Sequence, residues 1–190
     1  MIKYKTYLRA LELDDYIKIN KWHQEYKIYS RVTGNKYFIA KARDKEWVKS
    51  VVLHDSNKKY WAICLKENDE MIGYFSVIDI DWRNRKANIG GITIGQEYQN
   101  LRMGHDALDQ VLKYVFNELG LNKLYTTYLE NHIVTGRGIK KFGFKEEVLL
   151  REEVYKLGKY HNVIIASLLR KEYITLEQQL SNKLKTDPKK

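Results

Sequence analysis

Between Gly90 and Gly120 a β-type run, a short polar turn and a helical pattern follow one another without a break. Leu108, Val111, Leu112, Val115, Phe116 and Leu119 recur at i, i+3, i+4 and i+7, drawing one apolar stripe that Gly120 ends. A helix entering from that turn points unpaired N–H groups and the positive end of its dipole at the loop before it, an arrangement suited to phosphate oxygens. Gly90 and Gly91 fall inside the preceding strand, Ala87–Ile94. Glycines there weaken pairing, so they predict a bulge or a close backbone approach.

With 190 residues and 44% hydrophobic content, the chain closes one substantial core. One domain over residues 1–171 is expected, followed by a basic tail over 172–190 whose end, Lys183–Lys190, is lysine-rich and holds the only proline. No run of about 18 apolar residues is present, and Met1–Thr6 lacks the apolar stretch of a secretory signal, so a cytoplasmic protein with no membrane partner is expected. Cys64, the single cysteine, lies in the apolar run Trp61–Leu65 and reads as a buried core residue. The formal charge of +10 attracts nucleic acid, ribosomes and anionic cofactors alike. Because the cations are scattered among acids, a solvated face is the better reading than a nucleic-acid stripe.

Along the chain, Lys3–Ala10 alternates as a first strand, and Asp14–Asp15 can cap a helix through Ile17, Ile19 and Trp22. Residues 24–42 are aromatic and basic around a Thr33-Gly34-Asn35 turn and read as a substrate-side loop or irregular helix. Asp44 is expected to cap a second helix carrying Trp47, Val48, Val51 and Val52. Tyr60–Leu65 and Met71–Ile80 have the length and turn chemistry of an antiparallel hairpin. Lys123–Leu129 is a further strand, and Val148–Val154 with Tyr160–Leu169 form two more around Leu157-Gly158-Lys159. Gly136 and Gly138 each cost roughly 1 kcal/mol in a helix interior, which leaves the start of the helix before Gly143 open. Thr175–Leu180 adds at most a final turn or two of helix.

Gln99, Arg102 and Gly104 resemble the Gln/Arg-x-x-Gly-x-Gly/Ala coenzyme A signature of the GNAT superfamily of acyl-CoA-dependent N-acetyltransferases, with Arg102 in place of the first glycine. Lys141, Gly143 and Phe144 resemble the family's downstream Asn-x-x-Ser/Ala…Glu-Lys-x-Gly-Phe segment. Counting back from them puts Thr135 at its small residue, His132 where Asn is usual and Asn131 one place early. The same count puts Ile139 where many members carry a tyrosine acid. The phrases Ile78–Ala87 and Tyr155–Val163 look like the branch of ribosomal-protein, polyamine and nucleotide-amino-sugar acetyltransferases, and His54–Tyr60 is similar to enzymes of bacterial amino-sugar pathways.

The resemblance implies an α+β fold: a mostly antiparallel twisted sheet of about seven strands, splayed between the fourth and fifth, with about four helices. It implies acetyl-CoA as cosubstrate, its pantetheine arm lying along the backbone of Ile92, Thr93 and Ile94. Its pyrophosphate would meet Gln99, Asn100, Arg102, Met103, Gly104 and His105, with Asn131 and Thr135 nearby. Acetyl transfer needs a neutral amine, a polarised carbonyl and a proton for the leaving thiolate. His132, Asp79 and Tyr128 are the candidates for proton transfer, with Asp81 beside Asp79 at the end of its strand. No Cys/His cluster has ligand spacing, so no metal is expected. The expected acceptor is a small-molecule primary amine, an amino sugar or its nucleotide ahead of a polyamine, attacked directly in a ternary complex. A ribosomal-protein N-terminus is the alternative acceptor, a non-catalytic acyl-CoA-binding module the alternative class, and a homodimer stays open.

Overall fold

The structure, a computed structural model, describes residues 4–34, 37–54, 57–99 and 102–186. Seven strands, β1 (Thr6–Ala10), β2 (Lys59–Leu65), β3 (Met71–Asp81), β4 (Lys86–Ile94), β5 (Lys123–Leu129), β6 (Lys145–Lys156) and β7 (Lys159–Leu169), make one sheet in the order β1-β2-β3-β4-β5-β7-β6. All neighbours run antiparallel except β4 and β5. That parallel pairing joins only Lys86–Ile89 to Lys123–Thr126. Beyond it, β4 stays bonded to β3 while β5 continues on β7, so the sheet opens between Gly90–Ile94 and Thr127–Leu129.

The opening starts at the two glycines. The β3–β4 register shifts between Ser76↔Gly91 and Val77↔Ile89, which leaves Gly90 as the extra residue of a bulge. A Cβ on Gly90 would stand 2.7 Å from Ser76 Oγ, and Gly91 has a φ of 149°, so neither place accepts an ordinary side chain without distortion.

Six helices are present among the described residues, α1 (Tyr16–His23), α2 (Tyr26–Tyr29), α3 (Lys41–Leu53), α4 (Met103–Lys113), α5 (Ile133–Lys141) and α6 (Arg170–Thr186), where about four were expected. The apolar stripe of α4 packs on one sheet face, where Leu108, Val111 and Leu112 meet Ile72, Phe75 and Val77. Burying each such side chain stabilises the fold by about 1.5–3 kcal/mol. A turn of π-helix, Tyr114–Glu118, extends α4 with the Leu119 N–H on the Tyr114 carbonyl, and Gly120, at φ 61°, closes it as the glycine predicted. On the other face, Ile19 and Trp22 of α1 and Val48 of α3 cover Ala62, Cys64 and Tyr74. Cys64 is fully buried, as expected.

Three local expectations are corrected. Asp44 does not cap α3, whose N-cap is Ala40; it is buried one turn in, spaced i, i+4 with Val48 on the inward stripe. Asp15 stands at the N-cap of α1 without a side-chain cap bond, because its carboxylate is taken by Arg9 at 2.7 Å and by the Glu12 N–H at 2.8 Å. Residues from 170 to 186 are helical rather than a tail: buried Tyr173 stacks on Phe116 with ring centroids 5.0 Å apart. Asn35 of the expected turn, Asp55 and Ser56, and residues 187–190 lie outside the described residues. No helix among the described residues is long and apolar enough to cross a membrane.

Candidate active site

The splay is walled into a cavity of about 410 Å³, within the range of small-molecule sites. Ile92, Thr93 and Ile94 of β4 form its floor, and Gln99, Arg102, Met103, Gly104 and His105 form the wall at the start of α4. His132, Thr135, Gly138 and Ile139 come from α5 and its entry, while Ile28, Arg31 and Val32 close the side of α2.

At the α4 wall the first ladder bonds run from the His105 and Asp106 N–H groups to the Arg102 carbonyl, at 3.0 and 3.1 Å. The N–H groups of Met103 and Gly104 precede that ladder, as at any helix start. Arg102 is the N-cap at φ 63°, a left-handed conformation that favours glycine, so arginine occupies a backbone position the signature glycine suits. A Cβ built on Gly104 would stand 3.9 and 4.0 Å from the side chains of Ile94 and Ile92, ordinary van der Waals contact across the cavity floor. The amides of a helix start, a guanidinium and a glycine that allows close approach fit the diphosphate of coenzyme A.

Gln99 lines the cavity and also makes two contacts within the protein. Its Nε2 donates to the Ile94 carbonyl at 3.0 Å and its Oε1 accepts from Arg31 at 2.9 Å, so it ties the α4 loop and the strand end to the α2 side. Residues 29–34 are fixed from behind by Lys156, whose buried ammonium donates to the carbonyls of Tyr29, Val32 and Gly34 at 3.0, 2.6 and 2.8 Å. It also lies 4.2 Å from the Tyr29 ring centroid, and burial pushes its pKa down.

His132 caps the entry to α5 and its Nδ1 shares a hydrogen bond with Thr135 Oγ1 at 2.9 Å. Burial first and the Arg31 charge second push its pKa down. Burial, then Lys141 and Arg102, push His105 down as well. Both imidazoles are therefore neutral at pH 7, able to accept a proton or to donate from one nitrogen. Asn131 lies just outside this cavity, in an adjoining hollow with Lys27, Arg31 and Gln99. Asn100 lies outside the described residues.

Two proton-transfer candidates stand off the cavity. Asp79 is exposed five residues along β3 from Tyr74, roughly 16 Å at 3.3 Å per residue, at the closed end of the splay. Its neighbour Asp81 accepts from Asn84 at 2.9 and 2.6 Å and holds the β3–β4 turn. Tyr128 is in the core, its hydroxyl donating to Glu146 at 2.7 Å. Burial pushes its pKa up, and a Cβ on Gly136 would meet its ring at 3.2 Å. That contact accounts for a glycine inside α5. Ile139 lines the cavity as counted, and a hydrocarbon there supplies no acid. No group of three or more His, Cys, Asp or Glu side chains suited to a metal occurs among the described residues.

Sequence reasoning marked residues 24–42 as substrate-side but did not single out Ile28, Arg31 or Val32. It also missed a buried cluster behind Thr93, in which His23 joins Asp44 and Tyr74. The signal was present: His23 follows Ile19 by four residues and Asp44 precedes Val48 by four, placing both on inward stripes.

The chain belongs to the GNAT acetyltransferase family, whose acetyltransferase domain model matches residues 5–145. It is therefore an N-acetyltransferase that uses acetyl-CoA. It is 25% identical over 167 residues to the spermidine N(1)-acetyltransferase of Vibrio cholerae, covering 88% of this chain and 94% of that one. The putative ribosomal N-acetyltransferase YdaF of Bacillus subtilis (strain 168) is 29% identical over 103 residues, 54% of this chain and 56% of YdaF. A crystal structure of the Vibrio cholerae spermidine N-acetyltransferase in complex with CoA and spermine superposes with a TM-score of 0.83 at 25% identity, covering 90% of this chain and 98% of that one.

Proposed function

We propose that the acceptor is a primary amine on a small molecule with neutral or anionic character, an amino sugar or nucleotide-linked amino sugar, attacked directly in a ternary complex. The observation that carries this reading is the charge of the walls. Arg31 and Arg102 line the cavity, Lys27 and Arg31 line the adjoining hollow, the neutral His105 and His132 add no charge, and no Asp or Glu is among the described residues lining either. A polyamine entering there meets like charge and no carboxylate, whereas a sugar phosphate meets guanidinium and ammonium groups. In this reading the Met103 and Gly104 amides with Arg102 hold the diphosphate. The β4 backbone at Ile92–Ile94 holds the pantetheine arm and polarises the thioester carbonyl.

A polyamine acceptor is the second reading, favoured by the likeness to a protein solved with CoA and spermine. Thiol release from acetyl-CoA, followed with a UDP-linked amino sugar, a free amino sugar, spermidine and an N-terminal peptide of a ribosomal protein, separates them. The expected order of kcat/KM puts both amino sugars above spermidine. Preferential turnover of spermidine overturns the first reading in favour of the second.

A further inference from the structure

Beyond the four-residue α2 the chain runs through Arg31, Val32, Thr33 and Gly34 without helix or strand, yet Arg31 and Val32 form part of the cavity wall. Lys156, at the end of β6, holds that segment. Its own backbone is set by the hairpin: Lys156 pairs with Lys159 across the β6–β7 turn, and His161 Nε2 donates to its carbonyl at 3.1 Å. The residue is only 2% exposed. An ammonium has three N–H donors, and the carbonyls of Tyr29, Val32 and Gly34 converge on this one at 3.0, 2.6 and 2.8 Å. The Tyr29 ring centroid lies 4.2 Å from the same nitrogen.

Burying a cation is costly, and a hydrocarbon of the same volume would fill the space at lower cost. What the ammonium adds is direction. Three carbonyls between Tyr29 and Gly34 must aim at one atom, which fixes the path of the main chain between them. Arg31 lies between two of the held carbonyls, and its guanidinium donates to Gln99 Oε1 at 2.9 Å. The segment is therefore held at its main chain by β6 and at one side chain by the loop before α4.

We propose that Lys156 is a positioning residue for the acceptor amine, acting through the wall that Arg31 and Val32 form. With its three donors directed at main-chain carbonyls, Lys156 itself touches no substrate and moves no proton. The proposal rests on the function proposed above in one respect, that the acceptor meets the Arg31 wall, and holds for whichever amine is acetylated. A wall held from a rigid hairpin presents one arrangement to the acceptor, and no binding energy is then needed to order it. Loss of the clamp leaves the cosubstrate's own contacts at the start of α4 in place.

Lys156→Met keeps an unbranched side chain and removes its donors. With the amine that the parent turns over best, the expected result is an acceptor KM higher by about tenfold, the loss of one charge-assisted contact, with kcat at saturating acceptor and calorimetric CoA affinity close to the parent. Amide hydrogen exchange should quicken in the segment from Tyr29 to Gly34 and stay unchanged in α4. Arg31→Ala alone should raise the same KM, and adding Lys156→Met to it should raise KM by no more than about twofold further, because the clamp acts through Arg31. Lys156→Arg keeps a cation over Tyr29, but its planar fork cannot aim at three carbonyls; it should show a smaller rise of the same kind and serves as the test if Lys156→Met does not fold. An unchanged acceptor KM in a folded variant, or the same factor in the parent and Arg31→Ala backgrounds, overturns the proposal. So does weakened CoA binding with an unchanged acceptor KM, which would put the segment over the cosubstrate instead. The amino-sugar reading is tested by the parent's order of preference among amines alone, so its failure and this one are distinguishable.

Discussion

Arg102 holds a left-handed backbone where the coenzyme A signature has glycine. That conformation costs a side-chain-bearing residue about 1–2 kcal/mol. Arg102→Gly relieves it, while adding glycine's unfolded-state freedom, worth about 0.4–1 kcal/mol. The expected outcome is a urea midpoint equal to or slightly above the parent, with CoA affinity about tenfold weaker as a charge-assisted phosphate contact goes. An earlier midpoint with unchanged CoA affinity contradicts both halves. The strain was legible in the sequence, because counting from Gln99 and Gly104 assigns Arg102 to the glycine position. His132, Thr135 and Ile139 were legible by the same kind of count, and all three line the cavity. Gln99 lines it too, but its bonds to Ile94 and Arg31 were not legible, since they depend on where the α2 side folds, 68 residues away in the case of Arg31. Asp79 was assigned to the site because it ends a strand; the bulged register places that end away from the splay.

Among the elements, α4 was the easiest to read and α6 the hardest. The α4 stripe recurs over three turns and ends on Gly120, whereas Tyr173, Ile174 and Leu176 are a short apolar set in a lysine-rich, low-hydropathy stretch. Only the tertiary position of Phe116, on the far end of α4, shows that Tyr173 has something to pack on. Tyr173→Ala is therefore expected to cost about 3–5 kcal/mol, as other large-to-small aromatic changes in cores do. It should appear as an earlier urea midpoint with an unchanged slope. A frayed tail would leave the midpoint where it was. The Tyr173 hydroxyl is buried with no hydrogen-bond partner among the described residues, so Tyr173→Phe should leave stability unchanged or raise it. The strands and the bulge were legible from β-rich runs and from Gly90-Gly91. The strand order was not, because pairing β7 between β5 and β6 is a choice made by the whole sheet.

At the scale of the molecule, one parallel pairing in an otherwise antiparallel sheet creates the site. β4 and β5 part after four residue pairs, and the N-terminus of α4, the entry to α5 and the α2 side converge on the gap. The net charge of +10 adds a long-range field that favours a polyanionic substrate, within the limit of a Debye length of about 8 Å at physiological salt. The convergence of main-chain amides on that substrate's diphosphate is the claim on which the rest depends. Gly104→Glu tests it most directly, because a Cβ at Gly104 meets the Ile94 and Ile92 side chains only at ordinary van der Waals distance and the substitution sets a carboxylate at the proposed phosphate wall. Repulsion of like charges at 4 Å is about 4 kcal/mol at an effective dielectric of 20, enough to weaken binding by a hundredfold or more. Isothermal titration of CoA into the two proteins should give binding to the parent and none detectable to Gly104→Glu, at equal melting temperature. Equal affinity in the two titrations would contradict the proposed site.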